Sequence, residues 1–228
     1  MSLVTTIRVI RDQVKNVLDY LQDADLALYC NEVSMHGTRV SWYSYDAAAE
    51  FLITRRDATI EQYLHWLRAG SFSAILLDAS LLQISYDVHG ERVIGHRLVY
   101  VPCPFQADAT LLNQGEPVFD VVSLYDNLAD VVLRSPLRFD YDPNAAAPHH
   151  PAAHLTVNSP DCRIACVAPM HVHRFIDFVF RHFYPRLWHA HSGFFAEAAW
   201  RHVGERVLSD EDRTTPHLMW DVYATASG

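Results

Sequence analysis

Residues 81–101 read LLQISYDVHGERVIGHRLVYV. Two runs rich in β-branched and aromatic residues flank His89-Gly90, the composition of two strands joined by a tight turn. Upstream, FSAILLD (72–78) adds a third run of the same kind. Farther upstream, LALYCNEVS, MHGT and RVSWYSY predict strand, turn and strand. Downstream, LRFDYD alternates apolar and polar residues, as a strand with one wet face does, and AHLTV and RIACV are short strands around the turn NSPDC.

Helical spacing separates these runs. Ile7, Val9, Ile10, Val14, Val17, Leu18 and Leu21 recur on one face between Thr5 and Leu21. A second helix is expected from Thr59 to Ala69, where Gly70 is placed to stop it. DVVSLYDNLADVVLRS (120–135), MHVHRFIDFVFRHFY (170–184) and GFFAEAAWRHVGERVL (193–208) also read as helices, and SDEDR and PHLMWDV as a capped turn and a last strand. Strands in hairpins with helices grouped around them predict an α+β fold, a mainly antiparallel sheet, rather than a parallel βαβ sheet. Without repeat or linker, residues 1–228 read as one domain.

With half of its 228 residues apolar, the chain can bury a core without disulfides or structural metal. A formal charge of −9 opposes general attraction to nucleic acid or anionic membrane, so any nucleic-acid contact must be local. Lys15 is the sole lysine, which removes most lysine-based covalent chemistry. Cys30, Cys103, Cys162 and Cys166 are too few and too scattered for a disulfide framework and read as reduced thiols of a cytoplasmic protein. The first twenty residues carry charges throughout, unlike a signal peptide, and no segment is long and apolar enough to cross a bilayer. Gly-rich phosphate loops, the nucleophile-elbow pentapeptide and the HExxH helix are all absent.

Chemistry concentrates in RFDYDPNAAAPHHPAAHL (138–155), and nine of the 14 histidines fall between His149 and His202. On the LRFDYD strand, Arg138, Asp140 and Asp142 share one face. With His150 and His154, the two carboxylates suit a divalent ion, or an acid–base set around a phosphodiester. Arg138 and Arg163 suit a phosphate or the charge of a transition state. The same residue types also serve an ordinary polar turn, with Asp140 and Asp142 binding loop amides and arginines. Cys162-x3-Cys166 followed by His171-x-His173 has zinc-site residue types but lacks a finger-length loop. Cys103, in VPCPF, reads as a small buried hydrophobe rather than a nucleophile.

The segments HRLVYVPCPF, LRFDYDP, HPAAHLTVNSPDCRIA and APMHVHRFIDFVFRHFYPRLW together resemble a family of uncharacterised bacterial proteins, domain-of-unknown-function family twenty-two ninety. The resemblance covers most of the chain. It implies a single-domain protein of bacterial accessory gene content, in a mobile-element or antiphage context, and carries over no particular activity. A shorter stretch, Arg138, Asp140, His149, His150 and His154, is similar to a His-rich family of small toxins from toxin–antitoxin pairs, although the final His-x-His of that pattern is here His154-Leu155-Thr156.

Two functions are expected. The first is a phosphodiesterase or ribonuclease-like effector in which His150 and His154 act as base and acid or as metal ligands. Asp140 and Asp142 orient them or bind the ion, and Arg138 and Arg163 hold phosphate. The second is a non-catalytic immunity or accessory module that binds a partner protein encoded nearby, through aromatics such as Trp42, Tyr43, Tyr45, Trp188 and Trp200.

Overall fold

A computed structural model describes residues 6–42, 59–125 and 130–221. Its longest strands are the two expected around His89-Gly90, Leu81–His89 and Arg92–Val101, paired antiparallel from Leu81↔Val101 to His89↔Arg92. Gly90 adopts φ +58°, the left-handed conformation that the turn requires and that glycine adopts without steric cost.

Among the described residues, nine antiparallel strands make one sheet: β1 (Ala27–Cys30), β2 (Val33–His36), β3 (Arg39–Trp42), β4 (Ala74–Leu76), β5 (Leu81–His89), β6 (Arg92–Val101), β7 (Leu137–Tyr141), β8 (Ala153–Val157) and β9 (Arg163–Ala165). The order is β1-β4-β5-β6-β7-β8-β9, with the β2–β3 hairpin joined to β5 through β3. LALYCNEVS is therefore two strands, one pairing with β4 and the other with β3. Tyr43 and Tyr45 lie outside the described residues.

Two layers cover the sheet. Helix α1 (Ile7–Asp23), capped by the Thr6 hydroxyl, turns Ile10, Val14, Val17, Leu18 and Leu21 inward, as their spacing predicts. It packs with α5 (Val172–Phe183) over Leu82, Ile84, Leu98 and Phe139. On the opposite face, α2 (Ile60–Ala69), α3 (Ala109–Leu112) and α4 (Val118–Val122) cover Leu81, Val99 and Val101. Helix α2 begins in a capping box of Thr59 and Gln62 and ends at Gly70, whose φ of +66° halts it as expected.

Three further expected elements differ. The helix over 120–135 gives way to a 3-10 turn at Ser123–Tyr125, and Val131 instead bridges to Phe105. Gln106 N donates to Asp130 O and Val132 N to Pro104 O, so tertiary pairing claims this backbone. After Pro185, helices α6 (Pro185–Ala190) and α7 (Ser192–Ala196) continue the chain, but the helix expected to Leu208 stops by Trp200. The Arg174 guanidinium takes the carbonyls of Ala199 and Arg201, diverting acceptors that a longer helix would use. In place of a last strand, Leu218 makes a single parallel bridge to Cys166.

The core is tested at Phe139. It is fully buried and meets Phe175 and Phe178 edge-on across the sheet–helix interface. Phe139→Ala is expected to lower unfolding free energy by about 3–5 kcal/mol in denaturant titration, and a loss below about 1 kcal/mol would mean that this layer is not the principal core.

Candidate functional site

Alternation along three neighbouring strands assembles the site. Register places Arg97 (β6), Asp140 (β7) and His154 (β8) directly opposite one another, with Arg138, Thr156 and Arg163 forming the adjacent row. Both rows project from the face opposite α1 and α5, beyond the part that α2–α4 cover. A cavity of about 630 Å3 lies over them and is lined by Arg97, Arg138, Asp140, His150, His154 and Arg163.

Asp140 is at its centre. Arg97 Nε donates to Oδ1 at 3.0 Å, and Arg138 Nε donates to Oδ2. Arg138 is 3% exposed and its Nη2 also reaches Thr156 Oγ1 at 3.4 Å. Burial opposes ionisation of Asp140, but the charges of Arg138 and Arg97 outweigh it and hold the carboxyl below its ordinary value.

His154 sits beside this pair with Nε2 at 3.6 Å from Asp140 Oδ2. Its Nδ1 is 2.9 Å from the Pro151 carbonyl. A carbonyl can only accept, so Nδ1 carries the proton and Nε2, on the side of Asp140, keeps its lone pair. Burial lowers the imidazole's pKa against the opposing pull of Asp140, so the neutral form dominates near neutrality. A proton arriving at Nε2 would meet the Asp140 carboxylate. The site therefore has a base together with the charge that stabilises its conjugate acid.

The loop delivers His150. Ala147 and His150 exchange two backbone hydrogen bonds, and His149 between them adopts φ +63°, turning outward. The rings of His150 and His154 then lie 5.1 Å apart. Asp142 caps the same loop: one carboxylate oxygen accepts the amides of Asn144 and Ala145, at 3.1 and 3.2 Å. The strand ends at Tyr141, so Asp142 lines the cavity from the loop rather than from the shared strand face.

Arg163 completes the wall. Its Nη1 has a long contact of 3.9 Å to the exposed Asp161, and its Nε is buried without a hydrogen-bond partner. At the far end Arg39 and Asp87 pair bidentately, at 2.9 Å for both bonds.

All six expected site residues line one cavity. Among the described residues, however, no three His, Cys, Asp or Glu side chains are arranged to share a metal ion. Asp140 is committed to two guanidinium groups and Asp142 to loop amides. Sequence reading missed Arg97, whose part depends on the β6–β7 register across a long connection. The histidine-rich segment divides between the faces of the sheet. His171 caps α5 and His173 packs at a tilt against Phe194, both on the far side from the cavity. Cys166 and Cys103 are buried, and burial pushes the Cys166 thiol up to about 12.

A family model for an uncharacterised conserved protein, DUF2290, matches residues 24–220. The chain belongs to that family. The shorter toxin likeness is not supported by this match. No curated protein and no solved structure matches the chain. Among the described residues, no helix is long and apolar enough to cross a membrane.

Two measurements follow from these charges. Asp140→Asn leaves the buried Arg138 uncompensated, and a loss of about 3–5 kcal/mol is expected in denaturant titration. Wild-type stability with the variant would mean that the pair is dispensable. Acid is the second probe. Burial lowers His96 to about 4, His171 to about 3 and His173 to about 4. In the unfolded chain each titrates near 6.5, so the unfolded state binds more protons below that pH. Stability should be complete above about pH 6.5 and fall steeply towards pH 4, with Asp140 adding its loss only below about pH 4 as its native carboxyl protonates. A flat profile of unfolding free energy from pH 7 to about pH 5 would contradict burial of these imidazoles as neutral groups.

Proposed function

We propose that the chain is a ribonuclease-like phosphodiesterase that works in the Arg138-to-His154 cavity. The observation that carries this reading is Arg163: a residue on the wall of a polar cavity with a buried, unpartnered Nε, in the same cavity as the neutral imidazole of His154, whose Nε2 lies 3.6 Å from Asp140. An unsatisfied buried donor costs about 1–3 kcal/mol, which an anionic oxygen would relieve.

In this mechanism Arg163 holds a non-bridging phosphate oxygen. His154 Nε2 takes the proton of the attacking hydroxyl or water as its oxygen bonds to phosphorus. The phosphorus–oxygen bond to the leaving group breaks, and protonated His150 gives its proton to the departing oxygen. Asp140 stabilises the imidazolium formed at His154. Arg138 and Arg97 position Asp140 and add positive charge without needing to touch substrate, since Arg138 is almost fully covered. Asp142 positions the loop that carries His150. Because Asp140 and Asp142 are already engaged, the chemistry runs on proton transfer and arginine charge, and activity should persist in EDTA.

The test is cleavage of single-stranded RNA, single-stranded DNA and an activated phosphodiester, with and without EDTA. His154→Asn retains a donor for the Pro151 carbonyl while removing the base, and is expected to lose about 10²–10⁴-fold in rate with its melting temperature preserved. Arg163→Ala should raise KM more than it lowers kcat. Undiminished cleavage by His154→Asn, or no cleavage of any of these substrates by the wild type, would overturn the reading.

A further inference from the structure

Strand β1 closes one end of the sheet. It pairs with β4 on one side, and among the described residues no strand pairs with its other side. An unpaired strand edge presents main-chain donors and acceptors to any extended segment of suitable sequence. Tyr29, 50% exposed, stands on this edge against the edge of the Phe72 ring.

Beside β1 a groove of about 740 Å3 opens between the strand, α2 and the α3–α4 segment, sharing no lining residue with the histidine cavity. Its floor is apolar, from Leu28, Leu67, Phe72, Ile75, Leu112 and Phe119. Its exposed rim carries three carboxylates, Asp25, Glu116 and Asp120. Among the described residues the one guanidinium lining it, Arg68, lies over the Phe119 ring at 4.4 Å from the centroid.

We propose that the β1 edge and this groove bind an extended segment of a partner protein in which apolar residues alternate with lysine or arginine. Side chains of an added strand alternate with a period of two, so one set enters the apolar floor while the other stays at the acidic rim. Charge selects this occupant: the rim opposes an anionic lipid surface or a nucleic acid, and a second copy of the chain would bring the same carboxylates against their own kind. The chain's net charge of −9 also steers a basic segment towards it. The surface is independent of the phosphodiesterase reading.

The 228-residue chain should be titrated with three labelled synthetic peptides of about six residues, the length of an ordinary strand. One alternates valine with arginine, one alternates valine with glutamate, and one is the valine–arginine peptide with alternate amides N-methylated to remove strand hydrogen bonds. Saturable binding of the first alone is expected, with protection of the β1 amides from hydrogen exchange. Glu116→Lys/Asp120→Lys, both at exposed positions, should weaken that binding at least about tenfold and transfer preference to the valine–glutamate peptide. Equal binding of the two charge patterns, undiminished binding of the N-methylated peptide, or no saturable binding would each overturn the proposal. A dimer of the wild-type chain in sedimentation equilibrium, competing with the peptide, would assign the edge to a second copy and overturn it as well.

Discussion

The pleat of β6, β7 and β8 is the constraint on which the rest depends. Along β7, Leu137, Phe139 and Tyr141 face α1 and α5, so Arg138 and Asp140 must face the other way. A slip of one residue would drive a guanidinium and a carboxylate into the apolar layer, which is why the register is so strongly specified. The same ladder brings Arg97 and His154 opposite Asp140. Arg138 could not otherwise be as covered as it is, because a buried cation is tolerated only with its charge and donors met, here by Asp140 and Thr156. The ion pairs are therefore a consequence of the register and also a penalty against losing it.

The charged face is divided. Helices α2, α3 and α4 cover the end bearing Leu81, Val99 and Val101 and leave the end bearing Asp140 and Arg163 open to a cavity. Most of the candidate site thus sits on strands of a continuous sheet, whose positions are fixed by the core behind them, whereas only His150 and Asp142 come from a loop. That loop is itself tied down by the Ala147–His150 bonds and by the Asp142 cap. Rigid support of this kind is what a proton-transfer site needs.

Local signals carried much of this organisation. The β-branched and aromatic runs around His89-Gly90 marked β5 and β6, period-two alternation marked β7, and the Gly70 stop marked the end of α2, because each depends on residues a few positions apart. The grouping of Arg138, Asp140 and His154 was visible for the same reason. Arg97 was not, since its partner is reached only through the β6–β7 pairing across 35 intervening residues, and no local pattern reports that register. Asp142 looked equivalent to Asp140 because strand alternation has no internal mark for where a strand ends. The histidine count spans two unrelated places: His150 and His154 line the cavity, whereas packing against Phe194 and the capping of α5 account for His173 and His171. The helix expected to Leu208 failed because Arg174, far away in sequence, takes its carbonyls.

An acidic chain that is to act on a phosphodiester must reconcile a charge of −9 with an anionic substrate. The cavity does so by concentration: Arg39, Arg97, Arg138 and Arg163 line it against Asp87, Asp140 and Asp142, a local excess of positive charge. At physiological ionic strength fields from exposed groups decay over about 8 Å, so the surrounding carboxylates act mainly on what lies outside the cavity. Inside it, Arg138 is almost fully covered and its charge is little screened, whereas Arg39 and Arg97 stand closer to solvent. A duplex, with its phosphates spread over a wide surface, would meet the acidic exterior along most of its length. A single strand can insert one phosphate at Arg163 and keep the remainder in solvent. The charge distribution that opposes general nucleic-acid affinity is therefore compatible with the proposed site for one phosphodiester at a time, and on that proposal a flexible single strand fits it better than a duplex.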